Sequence, residues 1–352
     1  MIPDLTVSPL WYPLQIDASV DRVLFVQFTR HEYEEASFLD HRSLKPGARG
    51  TWKRWQDVCS ETASLEPNCH FIFHISHVGS TLLSRLLGLH PGLFCVREPR
   101  ILRDLAEAHF QLEDPCRVWS SAEFASRLKT FLSLWSRTFE SGPTALIKAT
   151  SFVSEMSERL LEQVPGAKAL LMFVAPATFL KALLGGAISD ITENAPRRRQ
   201  RLVRRLQLAS LPCEAQSAGE LTAMSWLCEM LCLHDTAKRF PDCVLWLDFD
   251  RFLIDPEAGL RDSFQHVERP VSDEFLHRVT THPLMHAYAK APIYKYDPGV
   301  RNKILDQSEQ KHGEEIRRGL GWLDRMAMNI PTVAAMMTAI DPVRLSKVAT
   351  RH

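Results

Sequence analysis

A short polar turn between two apolar segments is the first candidate for chemistry in this chain. A strand-like run, Phe71–Ile75, precedes the turn Ser76–Thr81, and an apolar helical pattern continues from Thr81. In such a layout the backbone N–H groups at the helix N-terminus point toward one spot, where they bind an anion. The spacing therefore predicts a phosphate-binding loop.

The same turn departs from the pattern of ATP and GTP loops. The pattern G-x-x-x-x-G-K-[ST] requires glycine at His74 and lysine at Ser80, and of its fixed positions only Gly79 and Thr81 fit. We therefore expect a phosphate loop that differs from the loop of ordinary nucleoside triphosphatases.

The elements that must hold this loop alternate between strand and helix. Continuous apolar runs of strand length recur along the chain, and apolar residues at helical spacing separate them. This alternation predicts an α/β fold, a P-loop NTPase-like parallel sheet flanked by helices, with ligands bound at the carboxyl ends of the strands. The predicted strands after the loop are Phe94–Val96, Ala145–Lys148, Ala169–Ala175 and Val244–Asp248.

Three regions are predicted along the chain. Residues 1–68 form an N-terminal extension that contains one clear strand, Val23–Phe28. Residues 69–270 form the P-loop core, and residues 271–352 form a helical C-terminal region that packs on this core.

Composition excludes several functional classes. The chain has 42 basic and 42 acidic residues, and this zero net charge argues against a dedicated nucleic-acid binder. It contains no apolar run of the ~18 residues that a membrane span needs. The segment Met1–Val7 lacks the basic and apolar parts of a secretory signal.

Cysteine and histidine patterns favour neither disulfides nor a metal site. The eight cysteines include no C-x-x-C, and Cys228 and Cys232 share one face of an apolar helix, which predicts buried free thiols in a reducing cytoplasm. The 14 histidines include no H-E-x-x-H pattern. We attribute His70, His74 and His77 to local packing and loop polarity, and we predict no metal site.

Three blocks of the sequence resemble the P-loop sulfotransferase family. The loop Ser76–Leu82, followed by His90-Pro91 and Cys95–Arg100, is similar to P-[KR]-S-G-T-T-[LW], H-P and the C-G-E-E-T-R segment of the tyrosylprotein sulfotransferase-like branch. Ile147–Thr150 resembles the family's K-[TD]-P segment, and Val244–Glu257 resembles V-L-x-V-R-Y-E-D-L-x-x-D-P-E. The blocks occur in the family order.

The resemblance implies a role for each matched residue. Glu98 stands at the general base, Arg100 at a substrate-contacting arginine, and Lys148 at a lysine that stabilises charge on the transferring group. The implied cofactor is the family's donor, 3′-phosphoadenosine 5′-phosphosulfate. The residues implied to hold its 5′-phosphate are His77, Val78, Gly79, Ser80, Thr81 and Leu82.

The two catalytic candidates also have purely structural interpretations. Glu98 could cap a helix or pair with a neighbouring arginine, for which Arg97, Arg100 and Arg103 are available. Lys148 could be an exposed lysine at the end of a strand. The position beside the loop favours the functional interpretation of Glu98.

The resemblance breaks down where the family binds the donor's 3′-phosphate. The family carries R-D-P-R at the stretch that reads Val174-Ala-Pro-Ala177 here, and Lys181 stands at the position of a family serine. Lys181, the basic run Arg197–Arg205 and the segment Tyr288–Lys303 are possible substitutes. We interpret Arg197–Arg205 as a solvated helix face, with a lid over an anionic ligand as the alternative.

These observations predict an enzyme that transfers a sulfuryl group to a hydroxyl of a small molecule or a peptide. Two alternatives stay open. One is an ATP-dependent kinase on the same fold, for which Asp248 and Asp250 are the candidate Mg²⁺ ligands. The other is a catalytically inactive homologue that binds a nucleotide or a partner, which the missing arginines favour. The sequence determines neither the acceptor nor the oligomeric state.

Overall fold

The computed structural model describes residues 4–186, 189–287 and 297–340. The strands in these residues are β1 (Trp11–Asp17), β2 (Arg22–Gln27), β3 (Gly50–Arg54), β4 (Cys69–His74), β5 (Leu93–Arg97), β6 (Thr144–Lys148), β7 (Ala169–Phe173) and β8 (Val244–Asp248). The helices are α1 (Arg30–Glu35), α2 (Trp55–Thr62), α3 (Ser80–Leu87), α4 (Arg100–Phe110), α5 (Ser121–Trp135), α6 (Ser157–Gln163), α7 (Pro176–Leu184), α8 (Ser189–Arg205), α9 (Ala218–Arg239), α10 (Phe249–Ile254), α11 (Pro256–His266), α12 (Asp273–Thr280), α13 (Pro298–Asn329) and α14 (Pro331–Ala339).

The main sheet has five strands in the order β5-β6-β4-β7-β8, and every neighbouring pair is parallel. All residues of β4, β5, β6 and β7 are buried, as expected for parallel strands that helices cover on both faces. The predicted parallel α/β fold is therefore confirmed. The helix after the loop begins at Ser80, one residue earlier than predicted.

The strand register brings the chemically important strand ends together. Lys148, the last residue of β6, lies opposite Ile72 of β4 on one side and Arg97 of β5 on the other. Since the strands are parallel, the segments that leave β4, β5 and β6 emerge at the same edge of the sheet. This edge carries the candidate site.

Two long helices, α9 and α13, pack beside the main sheet. Helix α9 packs against β4, and α13 packs against α7 and α9. The contact between α9 and α13 is so close that a Cβ on Gly319 would lie 2.6 Å from the carbonyl oxygen of Gly219. Cys228 and Cys232 are buried free thiols on α9, as predicted.

The amino-terminal part of the chain forms a second sheet, in which β1, β2 and β3 are antiparallel. The strand predicted at Val23–Phe28 corresponds to β2, whereas β1 and β3 were not predicted. The limits of the three predicted regions, residues 1–68, 69–270 and 271–352, stay predictions. Among the described residues, no helix combines the length and the apolar character that crossing a membrane requires.

Candidate active site

The predicted phosphate loop connects β4 to α3 and has an unusual backbone. Ser76, His77 and Gly79 have φ values of 78°, 53° and 66°, in the left-handed region. Non-glycine residues rarely adopt this conformation, and it is concentrated at sites where the surrounding structure enforces it. The N–H of Ser76 donates to Nδ1 of His74 over 3.0 Å, which helps to hold the turn.

The side chains of the loop residues divide into an exposed and a buried group. His77 is exposed, whereas Val78, Ser80, Thr81 and Leu82 are buried. The Thr81 hydroxyl makes no hydrogen bond to the described residues. A buried hydroxyl without a partner costs about 1–3 kcal/mol. An anion held at the start of α3 would remove this cost.

The ring of Phe249 lies directly against Gly79. A Cβ on Gly79 would lie 2.1 Å from two atoms of that ring, which no side chain tolerates. Phe249 directly follows β8, the outermost strand on the β7 side of the sheet. A residue from that outer strand therefore covers the loop. Glycine is required at this position both by its φ and by the ring.

Glu98 and Lys148 form a direct ion pair at the sheet edge. Nζ of Lys148 donates to Oε1 of Glu98, and the Lys148 side chain is wholly buried while that of Glu98 is 13% exposed. The N–H of Glu98 also donates to the carbonyl oxygen of Lys148 over 2.7 Å. The structural interpretations are therefore wrong in their particulars: Lys148 is not exposed, and Glu98 pairs with Lys148 rather than with a neighbouring arginine.

The backbone at Glu98 is held from the amino-terminal segment. Glu98 has a φ of 47°, a left-handed conformation in a non-glycine residue. On either side of it, the N–H of Leu39 donates to the carbonyl oxygen of Arg97, and the N–H of Arg100 donates to the carbonyl oxygen of Leu39. The backbone of Leu39 therefore holds the chain just before and just after Glu98, the residue that the motif predicts to be the base.

A histidine that the sequence analysis assigned to packing belongs to this group. Nε2 of His74 lies 4.0 Å from Oε1 of Glu98, and the His74 side chain is 6% exposed. His70, by contrast, does pack locally: its Nδ1 accepts the N–H of Lys168, and burial lowers its pKa to about 4. The position of His74 as the last residue of the strand before the loop was the signal that could have identified it.

Arg97 attaches the amino-terminal segment to the sheet. Its buried guanidinium donates to the carbonyl oxygens of Tyr33, Glu34 and Ala36, so that it binds backbone rather than a carboxylate. Burial lowers the pKa of Arg97 to about 10. Arg85 of α3 binds the carbonyl oxygens of Glu34 and Glu35 in the same way.

Arg100, the arginine predicted to contact the substrate, begins α4 two residues after Glu98 and lines an open cavity of about 480 Å³. Nε of Arg100 lies 3.6 Å from Oδ1 of Asp104, one turn along the helix. Residues 40–42 form the opposite wall. The hydrogen bonds of the Asp40 carboxylate, with a smaller contribution from the charge of Glu98, raise the pKa of Arg42.

The end of β7 does not provide a free cation for a second phosphate. Val174 is apolar and buried, and its carbonyl oxygen accepts the indole N–H of Trp226. Lys181 lies in the last turn of α7, where its Nζ is 2.7 Å from a carboxylate oxygen of Glu309. The residues at the loop therefore fit a 5′-phosphate, whereas those at Val174–Ala177 do not fit a 3′-phosphate.

A second predicted substitute, Arg301, is also engaged by a carboxylate. Arg301, from the described end of Tyr288–Lys303, lies 2.6 Å from Oδ1 of Asp250, whose other oxygen accepts the hydroxyl of Thr178. Residues 288–296 of that segment lie outside the described part of the chain.

The interpretation of Arg197–Arg205 as a solvated helix face is wrong for Arg201 and Arg205, whereas Arg204 is exposed. Arg201 is only 1% exposed and donates to the carboxylates of Glu155 and Glu229, each over 2.7 Å. Arg205 pairs with Glu155 and Asp235. These arginines join α8 to α9 and to residues 151–156, because a buried guanidinium is tolerated only when it is paired.

In the part of the chain that the structure describes, no three His, Cys, Asp or Glu side chains are grouped so that they could hold a metal ion.

Comparison with known proteins gives structural neighbours only. Neither a family model nor a curated protein sequence matches the chain. The solved structures that it resembles include several sulfotransferases. A sulfotransferase domain from the curacin biosynthetic pathway is 13% identical, covers 71% of this chain and 99% of that domain, and gives a TM-score of 0.42. Mouse sulfotransferase SULT7A1, complexed with PAP, is 11% identical over 80% of this chain and 93% of its own, with a TM-score of 0.41. Sulfotransferase STF9 from Mycobacterium avium is 15% identical over 73% of this chain and 79% of its own, with a TM-score of 0.38.

Proposed function

We propose that this chain transfers a sulfuryl group from a nucleoside 5′-phosphosulfate to an acceptor hydroxyl, with Glu98 as general base and Lys148 as charge stabiliser. The observation that carries the proposal is the ion pair of these two residues at the sheet edge, beside a loop whose Thr81 hydroxyl has no hydrogen-bond partner in the described residues. In this proposal the pair supplies both the base and the cation to a sulfuryl group bound beside the loop.

The donor supplies an activated sulfuryl group and a phosphate oxygen as the leaving group. Glu98 takes the proton of the acceptor hydroxyl while the new O–S bond forms, a contribution of typically 10²–10⁴-fold in rate. Lys148 offsets the negative charge that develops on the oxygen as its bond to sulfur breaks. The loop and Thr81 hold the 5′-phosphate and keep the reacting groups in line.

The donor of the sulfotransferases, 3′-phosphoadenosine 5′-phosphosulfate, is the expected co-substrate from the sequence motifs. Its 3′-phosphate would require Lys181 or Arg301 to release its carboxylate partner. The acceptor is a hydroxyl compound, and no nucleic acid is involved. A cytoplasmic location stays a prediction.

The kinase alternative is less well supported, because the strands next to the loop strand do not end in an unpaired carboxylate that could bind Mg²⁺. A Mg²⁺–nucleotide site needs a carboxylate close to the loop hydroxyl. The two neighbours of β4 end at Lys148 and Phe173, and Glu98 is already paired with Lys148. Asp248 and Asp250 flank Phe249 near the loop, but Asp248 accepts the N–H of Asp250. The two oxygens of Asp250 are bound by Arg301 and by the hydroxyl of Thr178.

A nucleotide-binding homologue without activity is the second candidate, favoured by the apolar Val174–Ala177 stretch. One variant separates it from the enzyme. We expect Glu98→Gln to reduce donor-dependent sulfuryl transfer by about 10²–10⁴-fold, while calorimetry shows unchanged affinity for adenosine 3′,5′-bisphosphate.

The matched control is Glu66→Gln, because Glu66 is an exposed carboxylate just before the amino end of β4, at the opposite edge of the sheet. Its transfer rate should equal that of the wild type. Nucleotide binding without transfer to any hydroxyl acceptor would establish the inactive homologue, and full activity of Glu98→Gln would remove Glu98 from the base role.

A further inference from the structure

The cavity of about 480 Å³ that Arg100 lines, two residues after Glu98, has a wall built by one face of α4. The helix residues that line it stand at positions i, i+3, i+4 and i+7, so they form a single stripe. The opposite face of α4 carries Ile101, Leu102 and Leu105, which are buried in the core. The residues of the stripe are Arg100, Arg103, Asp104 and Glu107.

The charges of the cavity are paired except at one place. On the wall formed by residues 40–42, Nε of Arg42 lies 3.0 Å from both oxygens of Asp40. On α4, Arg100 lies beside Asp104, and Glu107 pairs with Arg197. Each of these carboxylates therefore already has an arginine.

Arg103 is the cation that remains. It is exposed at the cavity, and none of the described carboxylates lies within ion-pair distance of it. The charge of Arg103 acts on the neighbouring Asp104 and Glu107 at longer range. An arginine fork of this kind binds a carboxylate through two parallel hydrogen bonds.

The lining also restricts the ligand to polar compounds. All residues that line the cavity are charged or polar, and none is phenylalanine, tyrosine, tryptophan or an aliphatic residue. A flat apolar phenol or sterol would displace water from these groups without replacing the lost hydrogen bonds, which costs free energy at each group. A volume of about 480 Å³ suits a small molecule.

We propose that this cavity binds the acceptor, and that the acceptor is a small polar hydroxyl compound with a carboxylate group, which Arg103 binds while a hydroxyl faces Glu98. The identification of the ligand as the acceptor rests on the proposed sulfuryl transfer. The carboxylate site itself rests on the cavity and its charges.

The test uses two probes that differ only in the carboxylate, D-glucuronate and D-glucose, with 4-nitrophenol as an apolar hydroxyl compound. Binding is measured by ligand-detected NMR without any nucleotide. We expect glucuronate to bind with a Kd of about 10 mM or tighter, while glucose and 4-nitrophenol bind at least about tenfold more weakly. Added salt should weaken the binding of glucuronate, because exposed charges are screened.

Arg103→Gln should weaken glucuronate at least about tenfold, the loss expected when a charged hydrogen-bond partner is removed. Arg317→Gln is the matched control, because Arg317 is an exposed arginine of α13 that does not line the cavity. It should bind glucuronate like the wild type. Since Arg103 is exposed, its replacement leaves the packed core intact.

Two outcomes overturn the proposal: glucuronate that binds no better than glucose, or an Arg103→Gln protein that binds it like the wild type. The proposed function is tested independently of this binding experiment, and it is overturned if the protein transfers no sulfuryl group. Transfer to glucose and glucuronate at equal rates would retain the proposed function and overturn the carboxylate site.

Discussion

Nε2 of His74 lies 4.0 Å from Oε1 of Glu98, and the opposite nitrogen of the same ring accepts the N–H of Ser76. Because Nδ1 accepts, the neutral ring carries its proton on Nε2, the side that faces Glu98. One histidine therefore contacts the turn of the phosphate loop and lies next to the candidate base. We expect it to act as a positioning residue for Glu98.

Two substitutions of His74 should separate its contacts. In His74→Asn, Oδ1 can still accept the N–H of Ser76, but the side chain no longer reaches Glu98. We expect kcat to fall about ten- to hundredfold, as for a displaced reacting group, with little change in donor KM. His74→Leu removes both contacts and should also raise KM. The control, His70→Asn, should leave kcat unchanged, and a His74→Asn protein with wild-type kcat would contradict the role.

The Glu98–Lys148 pair should show strong coupling in unfolding measurements. Lys148→Met and Glu98→Gln each remove one charge of a largely buried ion pair, which costs about 3–5 kcal/mol of unfolding free energy. The double variant removes both charges, so it should lose clearly less than the sum of the two single variants. Urea denaturation measures the three free energies. Additive losses would show that the two side chains do not interact.

Gly79→Ala should be more damaging than Gly166→Ala. Both glycines have a left-handed φ, 66° and 81°, for which alanine costs about 1–2 kcal/mol. Only at Gly79 does the added Cβ also meet Phe249, since nothing lies within 4 Å of it at Gly166. We expect the larger loss of unfolding free energy and a loss of nucleotide affinity at Gly79 alone. In a Phe249→Leu background the difference between the two alanine variants should shrink.

His70 should make stability depend on pH below about 6.5. Burial lowers the pKa of His70 to about 4 in the folded chain, from 6.5 for an unperturbed histidine. The unfolded chain therefore takes up a proton first, so stability is complete above about pH 6.5 and falls as the pH drops toward 4. The shift corresponds to about 3 kcal/mol at most.

The measurement compares urea unfolding at about pH 7 and about pH 4.5. His70→Asn keeps an acceptor for the N–H of Lys168 but cannot titrate, so its stability should differ less between the two pH values. The exposed His31 provides the control, and His31→Asn should retain the wild-type difference. An unchanged difference in His70→Asn would show that other groups cause the pH dependence.

The parallel sheet and the position of the loop were predictable because buried parallel strands appear as continuous apolar runs. The sequence blocks likewise located Glu98 and Lys148 at neighbouring strand ends. The pairing of β5 with β6 brings Glu98 and Lys148 into contact. This pairing depends on the order of the strands in the sheet, which local sequence does not determine. His74 was missed because its strand-end position indicates that it borders the loop but does not show that its ring faces a carboxylate.

The basic run on α8 shows the limit of charge patterns. Arg201 pairs with Glu155 and Glu229, which lie 46 and 28 positions away along the chain. A local pattern contains the cation but not its distant partners, so burial could not be predicted. The two backbone hydrogen bonds of Leu39, to Arg97 and Arg100, could not be predicted for a different reason. Every residue has the backbone groups that form them, so no residue type marks the position.

The hydrogen bonds of Leu39 limit how far the chain can be shortened for expression or crystallisation. A version that begins at Cys69 would keep every strand of the parallel sheet. It would lose the two backbone partners at Leu39 and the carbonyl oxygens that Arg97 binds. The guanidinium would then be left in the interior without these acceptors, and of the contacts described at Glu98 only those with Lys148 and His74 would remain. Affinity tags and truncations therefore belong upstream of Leu5, whose carbonyl oxygen is already bound by Arg137.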